Sequence, residues 1–110
     1  MRNEMMMETF TRIRMDILVE APLKERIARL LDAEGVSGYT IFSAIGGRGA
    51  DALWARAGHI TDVGQMLNFV CIVDADRREP ILDLLIGKYA DQIGFVTTSE
   101  VQVIRPTKFS

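Results

Sequence analysis

The chain has 110 residues, enough for one domain with its own hydrophobic core and too few for two. Its formal net charge of -2 argues against a nucleic-acid-binding protein, which usually carries a basic surplus. No apolar run approaches the ~18–20 residues that span a bilayer. The single cysteine, Cys71, lies in an apolar run and has no partner for an internal disulfide, so we expect a core residue in a cytoplasmic protein.

The first eleven residues contain four methionines and two glutamates and lack the apolar core of a signal peptide. We expect residues 1–11 to form a flexible leader. Residues 12–110 are then expected to form a single domain.

The first half of this domain predicts a strand, a helix and a second strand. Apolar and polar residues alternate over residues 12–19, which is typical of a strand. Pro22 opens a helix and Gly35 ends it. The apolar stripe of that helix comprises Leu23, Ile27, Leu30 and Leu31. Aromatic and β-branched residues then favour a strand over residues 38–45.

Residues 46–64 contain five glycines and show no sustained periodicity, so they predict a long loop. Loops of this length in compact domains are usually functional. Within it, residues 50–57 are expected to form a short helical turn.

The second half repeats the order of the first. A strand over residues 65–73 precedes a helix that is capped by Asp74 or Asp76 and has Pro80 in its first turn, and a last strand covers residues 93–104. The order β-α-β-β-α-β predicts an α+β, ferredoxin-like sandwich with both helices on one sheet face. Val70 and Ile72 would leave the other face apolar as well, which favours burial in a symmetric oligomer.

A glycine-rich stretch with one arginine follows the second strand. Gly46, Gly47 and Gly49 can turn backbone N–H groups toward an anion, and Arg48 can clamp it. This pattern points to a phosphate-bearing ligand. Plain flexibility at the base of a loop is the alternative reading of the glycines.

Over roughly residues 14–109 the chain resembles the PII signalling superfamily. Two segments carry this resemblance: Gly35–Thr40, with the sequence GVSGYT, and the tail that begins with Val103-Ile104-Arg105. The ending Arg-Pro-Thr-Lys-Phe is similar to the inorganic-carbon branch, which contains bicarbonate-transporter regulators and carboxysome-associated PII-like proteins. The chain resembles the carboxysome-associated proteins most. The resemblance implies a homotrimer that binds adenine nucleotides in the clefts between subunits.

The resemblance also implies which residues contact each ligand. The adenosine would be contacted by Gly38, Tyr39 and Thr40, and the phosphates by the backbone of Gly46 and Gly47 and by the cations Arg105 and Lys108. Bicarbonate would bind at Ser43 and Arg48.

The chain departs from known members of the superfamily in several ways. Residues 46–64 contain no tyrosine that could be modified. The lysine- and glycine-bearing loop after the second helix is replaced by the short segment Tyr89–Gly94, so the sequence favours ADP or AMP over ATP. The cysteine pair found in some transporter-regulator tails is missing, which argues against redox switching.

The resemblance implies a regulatory protein rather than an enzyme, with no prosthetic group, metal, nucleic acid or membrane span. Nucleotide and bicarbonate would favour one conformation of the long loop, the T-loop of the superfamily. The loop would then report inorganic-carbon and energy status to a protein target such as a bicarbonate transporter or a carboxysome component. A slow nucleotide-hydrolysing enzyme on the same fold and a purely structural oligomerisation domain are the alternatives. The roles of Trp54 and His59 stay open.

Overall fold

The structure, a computed structural model, describes residues 5–48, 53–55 and 65–108. Short 3-10 turns precede both helices of this part of the chain and follow the second one. The strands and helices are β1 (Met5–Glu20), α1 (Lys24–Ala33), β2 (Tyr39–Ala44), β3 (Gly46–Arg48), β4 (Leu53–Ala55), β5 (Met66–Val73), α2 (Arg78–Tyr89) and β6 (Ile93–Lys108).

Four of the strands form one antiparallel sheet in the order β2-β5-β1-β6. With the helices inserted after β1 and β5, this order is that of the ferredoxin-like α+β fold, so the predicted fold class is confirmed. The strands β3 and β4 pair with each other in a separate two-stranded sheet.

The hydrophobic core lies between the sheet and the two helices. Successive side chains of a strand lie on opposite faces, and the odd-numbered residues of the second half of β1 are all buried. They pack with the stripe of α1 and with Ile81 and Leu85 of α2. The buried strand residues of this core are Ile13, Met15, Ile17, Val19, Phe69, Cys71 and Val73.

The opposite face of the sheet, here called the open face, carries exposed apolar side chains. Phe42 of β2 is 55% exposed and Phe95 of β6 is 50% exposed. In the middle of this face, Arg14 and Asp16 form an ion pair with a 2.9 Å Nε–Oδ2 distance, and Asn68 donates a hydrogen bond to Asp16. The hydrogen bond from Arg14 lowers the pKa of Asp16. The face therefore combines exposed apolar side chains with a polar cluster near its middle.

The end of α1 determines where β2 begins. Gly35 has a φ of 81°, a conformation that favours glycine, as expected for a helix stop. The N–H of Val36 donates to the carbonyl of Leu31 at 3.0 Å, which is the 6→1 bond of a Schellman motif. The chain then leaves the helix and enters the sheet at Tyr39.

The start of the chain differs from the expected flexible leader. The strand β1 begins at Met5, and residues 5–11 pair with residues 102–108 of β6. The predicted last strand is also four residues longer than expected, since β6 reaches Lys108. The backbones of residues 5–11 and 102–108 pair with each other. Since these two segments are far apart in the sequence, no local pattern predicts the pairing.

Two further local predictions differ from the structure. Of the helical turn expected over residues 50–57, Leu53–Ala55 form the strand β4, while the rest lies outside the described residues. Pairing with β3 supplies hydrogen-bond partners that outweigh the local helix preference. Asp74 is the N-cap of the turn before α2, but its side chain makes no capping hydrogen bond.

Neighbouring residues of α2 test the assignment of the core. Leu85 is fully buried, whereas Ile86 is 53% exposed. We expect Leu85→Ala to lower the free energy of unfolding by about 2–5 kcal/mol, because the change leaves a cavity among packed side chains. Ile86→Ala should change it by less than about 0.5 kcal/mol. Urea unfolding followed by circular dichroism measures both, and equal effects would contradict the assignment.

Candidate functional site

A cavity of about 800 Å³ lies where the start of β2, the end of β5 and the paired ends of β1 and β6 meet. Its size is in the range of binding sites for small organic ligands. Thr40, Ile72 and Val103 contribute part of its wall. Because these residues belong to the open face, the cavity borders the exposed apolar surface of the sheet.

The structure brings four of the residues predicted from the resemblance together at this cavity. Gly38, Tyr39 and Thr40 come from the entry into β2, and Arg105 comes from β6. The ring of Tyr39 packs on Phe69 of the core, with 5.5 Å between the ring centroids. The core thus holds the start of β2 in place beside the cavity.

The other predicted residues are not brought to this cavity among the described part of the chain. Ser43 is in β2, about 13 Å along the strand from Tyr39 at roughly 3.3 Å per residue. Gly46 and Gly47 lie in β3, where they pair with β4. The side chains of Arg48, Lys108 and Trp54, and all of Gly49 and His59, lie outside the described residues.

Arginines from three different elements line the cavity. Arg12 of β1 forms an ion pair with Asp74, with 2.9 Å between Nε and Oδ1, and lies 5.2 Å from the centroid of the Phe10 ring. Arg77, before α2, forms an ion pair with Glu34. Its Nε is buried and has no hydrogen-bond partner within the part of the chain that the structure describes.

Arg105 differs from the other two arginines of the cavity. It is exposed, and no carboxylate of the described residues lies within ion-pair distance of its guanidinium. Its charge is therefore available to an anionic ligand. It gives the cavity the means to bind an anion through charge-assisted hydrogen bonds.

The cavity wall also contains four residues that no sequence pattern indicated: Glu8, Phe10, Arg12 and Arg77. Glu8 and Phe10 fall in the segment that was expected to be a leader, and Arg77 is one of four consecutive charged residues, Asp76–Glu79. Upstream of Arg12 the alternation is lost, because Phe10 is apolar at an even position while Thr9 and Thr11 are polar at odd positions. The signal that would have extended β1 is the strand preference of Thr9, Phe10 and Thr11. The common location of the four cavity residues depends on strand pairing, which the sequence does not show.

Two further properties bear on the class of site. Among residues 5–48, 53–55 and 65–108, no three His, Cys, Asp or Glu side chains are placed to hold a metal ion. Neither α1 nor α2, the two α-helices of the same ranges, is long and apolar enough to cross a membrane.

Cys71 contributes to the cavity wall, but the residue is only 2% exposed and its side chain belongs to the core. Burial raises its pKa to about 11. The structure therefore confirms the sequence prediction of a core residue, and the thiol is not a nucleophile near neutral pH.

The reactivity of Cys71 provides a direct test of this burial. At pH 8, a thiol with a pKa of about 11 is roughly one-thousandth ionised, so iodoacetamide should not label the native protein within an hour. Protein unfolded in guanidinium chloride should gain one label per chain. Intact-mass spectrometry measures both, and complete labelling of the native protein would show that this strand opens readily.

The fold and the cavity define a class of small ferredoxin-like proteins, and comparison with known proteins identifies the family. The model of the family described as nitrogen regulatory protein P-II matches residues 12–108. The chain therefore belongs to the PII family. The search of curated proteins found no match.

Several solved structures share the fold. CPII, a PII-like protein from Thiomonas intermedia K12, was solved with ADP, AMP and bicarbonate; it has a TM-score of 0.79 and 23% identity, with 87% of this chain and 91% of that chain covered. Its complex with ADP and bicarbonate gives a TM-score of 0.75 and 26% identity over the same shares. The GlnK–ATP complex of Bacillus subtilis is more distant, at a TM-score of 0.55 and 16% identity, covering 83% and 82%.

Proposed function

We propose that this protein is a PII-like regulator that binds adenine nucleotides, with ADP and AMP preferred over ATP, together with bicarbonate. The observation that carries the proposal is the 800 Å³ cavity that places Gly38, Tyr39 and Thr40 beside the available charge of Arg105. These are the residues that the family resemblance assigns to adenosine and phosphate. The ligands reported for the CPII structures support the same ligand class.

The cavity suits the two parts of a nucleotide. Val70, Ile72 and Val103 form an apolar wall that can contact a base, whereas Arg77 and Arg105 supply donors for phosphate oxygens. Lys108 is proposed as a second phosphate contact from the same strand as Arg105. Ser43 and Arg48 are proposed to hold bicarbonate, with Gly46 and Gly47 approaching the phosphates from the base of the T-loop.

The proposed oligomer is a homotrimer in which the open faces of the sheets pack together. Phe42, Ile72 and Phe95 expose apolar area on this face, and such area on a folded domain favours association. A second copy on the open face would border the cavity, since Thr40 and Val103 belong to both surfaces. Nucleotide would therefore bind in a cleft between subunits.

The proposed signal passes through the segment between β2 and β5. A ligand changes the conformational equilibrium of this segment only by its different affinity for the two states. The target is proposed to be a component of inorganic-carbon metabolism, such as a bicarbonate transporter or a carboxysome component. PII-family proteins act as regulators rather than enzymes, so no catalytic step is required.

Calorimetric titration with AMP, ADP and ATP, each with and without bicarbonate, tests the proposal. We expect ADP and AMP to bind more tightly than ATP, and bicarbonate to strengthen the binding of ADP or AMP. Arg105→Ala should weaken binding roughly ten-fold or more, because it removes a charge-assisted hydrogen bond to phosphate. Lys108→Ala, alone and combined with Arg105→Ala, measures the second proposed cation.

Arg26→Ala is the matched control for these titrations. Arg26 is an exposed arginine of α1 that does not line the cavity, so its removal should leave the nucleotide affinity unchanged. A wild-type protein that binds none of the three nucleotides would overturn the proposed function. Equal losses in Arg105→Ala and Arg26→Ala would instead show that only the net charge matters.

The proposed trimer can be tested on the open face without touching the cavity. Phe42→Glu places a charge on this face, so we expect the protein to become monomeric in light-scattering measurements. Ile86→Glu makes the same kind of change at a similarly exposed position on α2 and should leave the oligomer intact. An unchanged oligomer in Phe42→Glu would show that another surface forms the interface.

A further inference from the structure

The segment of β1 that precedes the region matched by the family model forms part of the cavity wall. The match begins at residue 12, whereas β1 begins at Met5. Glu8 and Phe10 of this upstream segment line the cavity on the same side as Arg12. A part of the chain outside the matched region therefore contributes a carboxylate to the candidate nucleotide site.

Glu8 lies directly opposite Arg105 in the pairing of β1 with β6. Residues paired in this way have Cβ atoms about 4.5–5.5 Å apart and their side chains on the same face. Both side chains are exposed, and within the described part of the chain neither is in an ion pair at 4 Å or less. Arg105 is thus close to Glu8 but not bound to it.

The remaining charges of the cavity wall are already paired. Asp74 forms an ion pair with Arg12, and Arg77 forms one with Glu34. Among the described residues that line the cavity, Glu8 is the carboxylate and Arg105 the cation that stay unpaired. A phosphate bound at Arg105 would therefore have the carboxylate of Glu8 as its nearest uncompensated negative charge.

We propose that Glu8 is a specificity-determining residue that disfavours ligands with longer, more highly charged phosphate chains. The inference rests on the proposed function, and it supplies a physical cause for a preference for AMP and ADP over ATP. Each added phosphate brings about one more negative charge near Arg105. The repulsion from Glu8 therefore increases from AMP to ADP to ATP.

The size of the effect follows from Coulomb's law. A unit charge at about 8 Å from another changes the binding constant by roughly two- to six-fold for effective dielectric constants of about 80 to 40. ATP carries about two more negative charges than AMP, so removing the charge of Glu8 should improve the ATP-to-AMP affinity ratio by roughly 5- to 30-fold. This ratio cancels effects that act equally on both nucleotides.

The experiment is titration of Glu8→Gln with AMP, ADP and ATP in the absence of divalent cations. Glutamine keeps the shape and removes the charge, so the affinity for ATP should rise most and that for AMP least. Raising the salt from about 50 to 500 mM should reduce the difference between Glu8→Gln and wild type, because ions screen exposed charges. Glu8→Asp keeps the charge and should retain the wild-type ratio.

Glu100→Gln is the matched control, since Glu100 is an exposed glutamate of β6 that does not line the cavity. It should leave the ATP-to-AMP ratio unchanged. If Glu8→Gln lowered the affinity for AMP, ADP and ATP equally, the inference would be overturned. Such a result would indicate that Glu8 contacts the adenosine, which all three nucleotides have in common. An unchanged ratio would overturn the inference as well, while the proposed function would stand. Wild-type protein that binds no nucleotide would overturn both.

Discussion

The burial of one side of β1 is the constraint on which the rest of the structure depends. Ile13, Met15, Ile17 and Val19 are all less than 8% exposed, whereas the residues between them lie on the open face. A shift of one residue in the pairing of this strand would expose the apolar row and bury Arg14 and Asp16 under the helices. Core burial therefore determines the register of β1 with both β5 and β6.

The register of β1 with β5 and β6 determines the geometry of the candidate site. Because β1 and β6 stay paired beyond the end of β5, Arg105 is carried past the core and lies opposite Glu8. The Schellman motif at the end of α1 brings Tyr39 to the same region from the other side. The cavity is thus formed by several chain segments whose positions are all determined by the core.

Much of the fold was predictable because its signals are local. The alternation over residues 12–19, the helix stop at Gly35 and the β-branched run before Val73 each depend on residues close in sequence, and the structure confirms them. The upstream part of β1 and the strands β3 and β4 were not predicted. Their backbones pair with residues that are not their neighbours in the sequence. From the neighbouring residues alone, a leader and a helical turn were therefore the better interpretations.

The sequence by itself determined the order of the two helices and of the four strands of the main sheet, the buried face of β1 and the membership in the PII family, since periodicity and short motifs carry that information. Only the tertiary structure decided that Glu8 and Arg12 share a cavity with Arg105, and that Ser43 and Gly46 are not part of its described wall. The physical reason is that strand pairing acts between residues far apart in the chain. Their proximity depends on the shared core and not on any pattern in either segment.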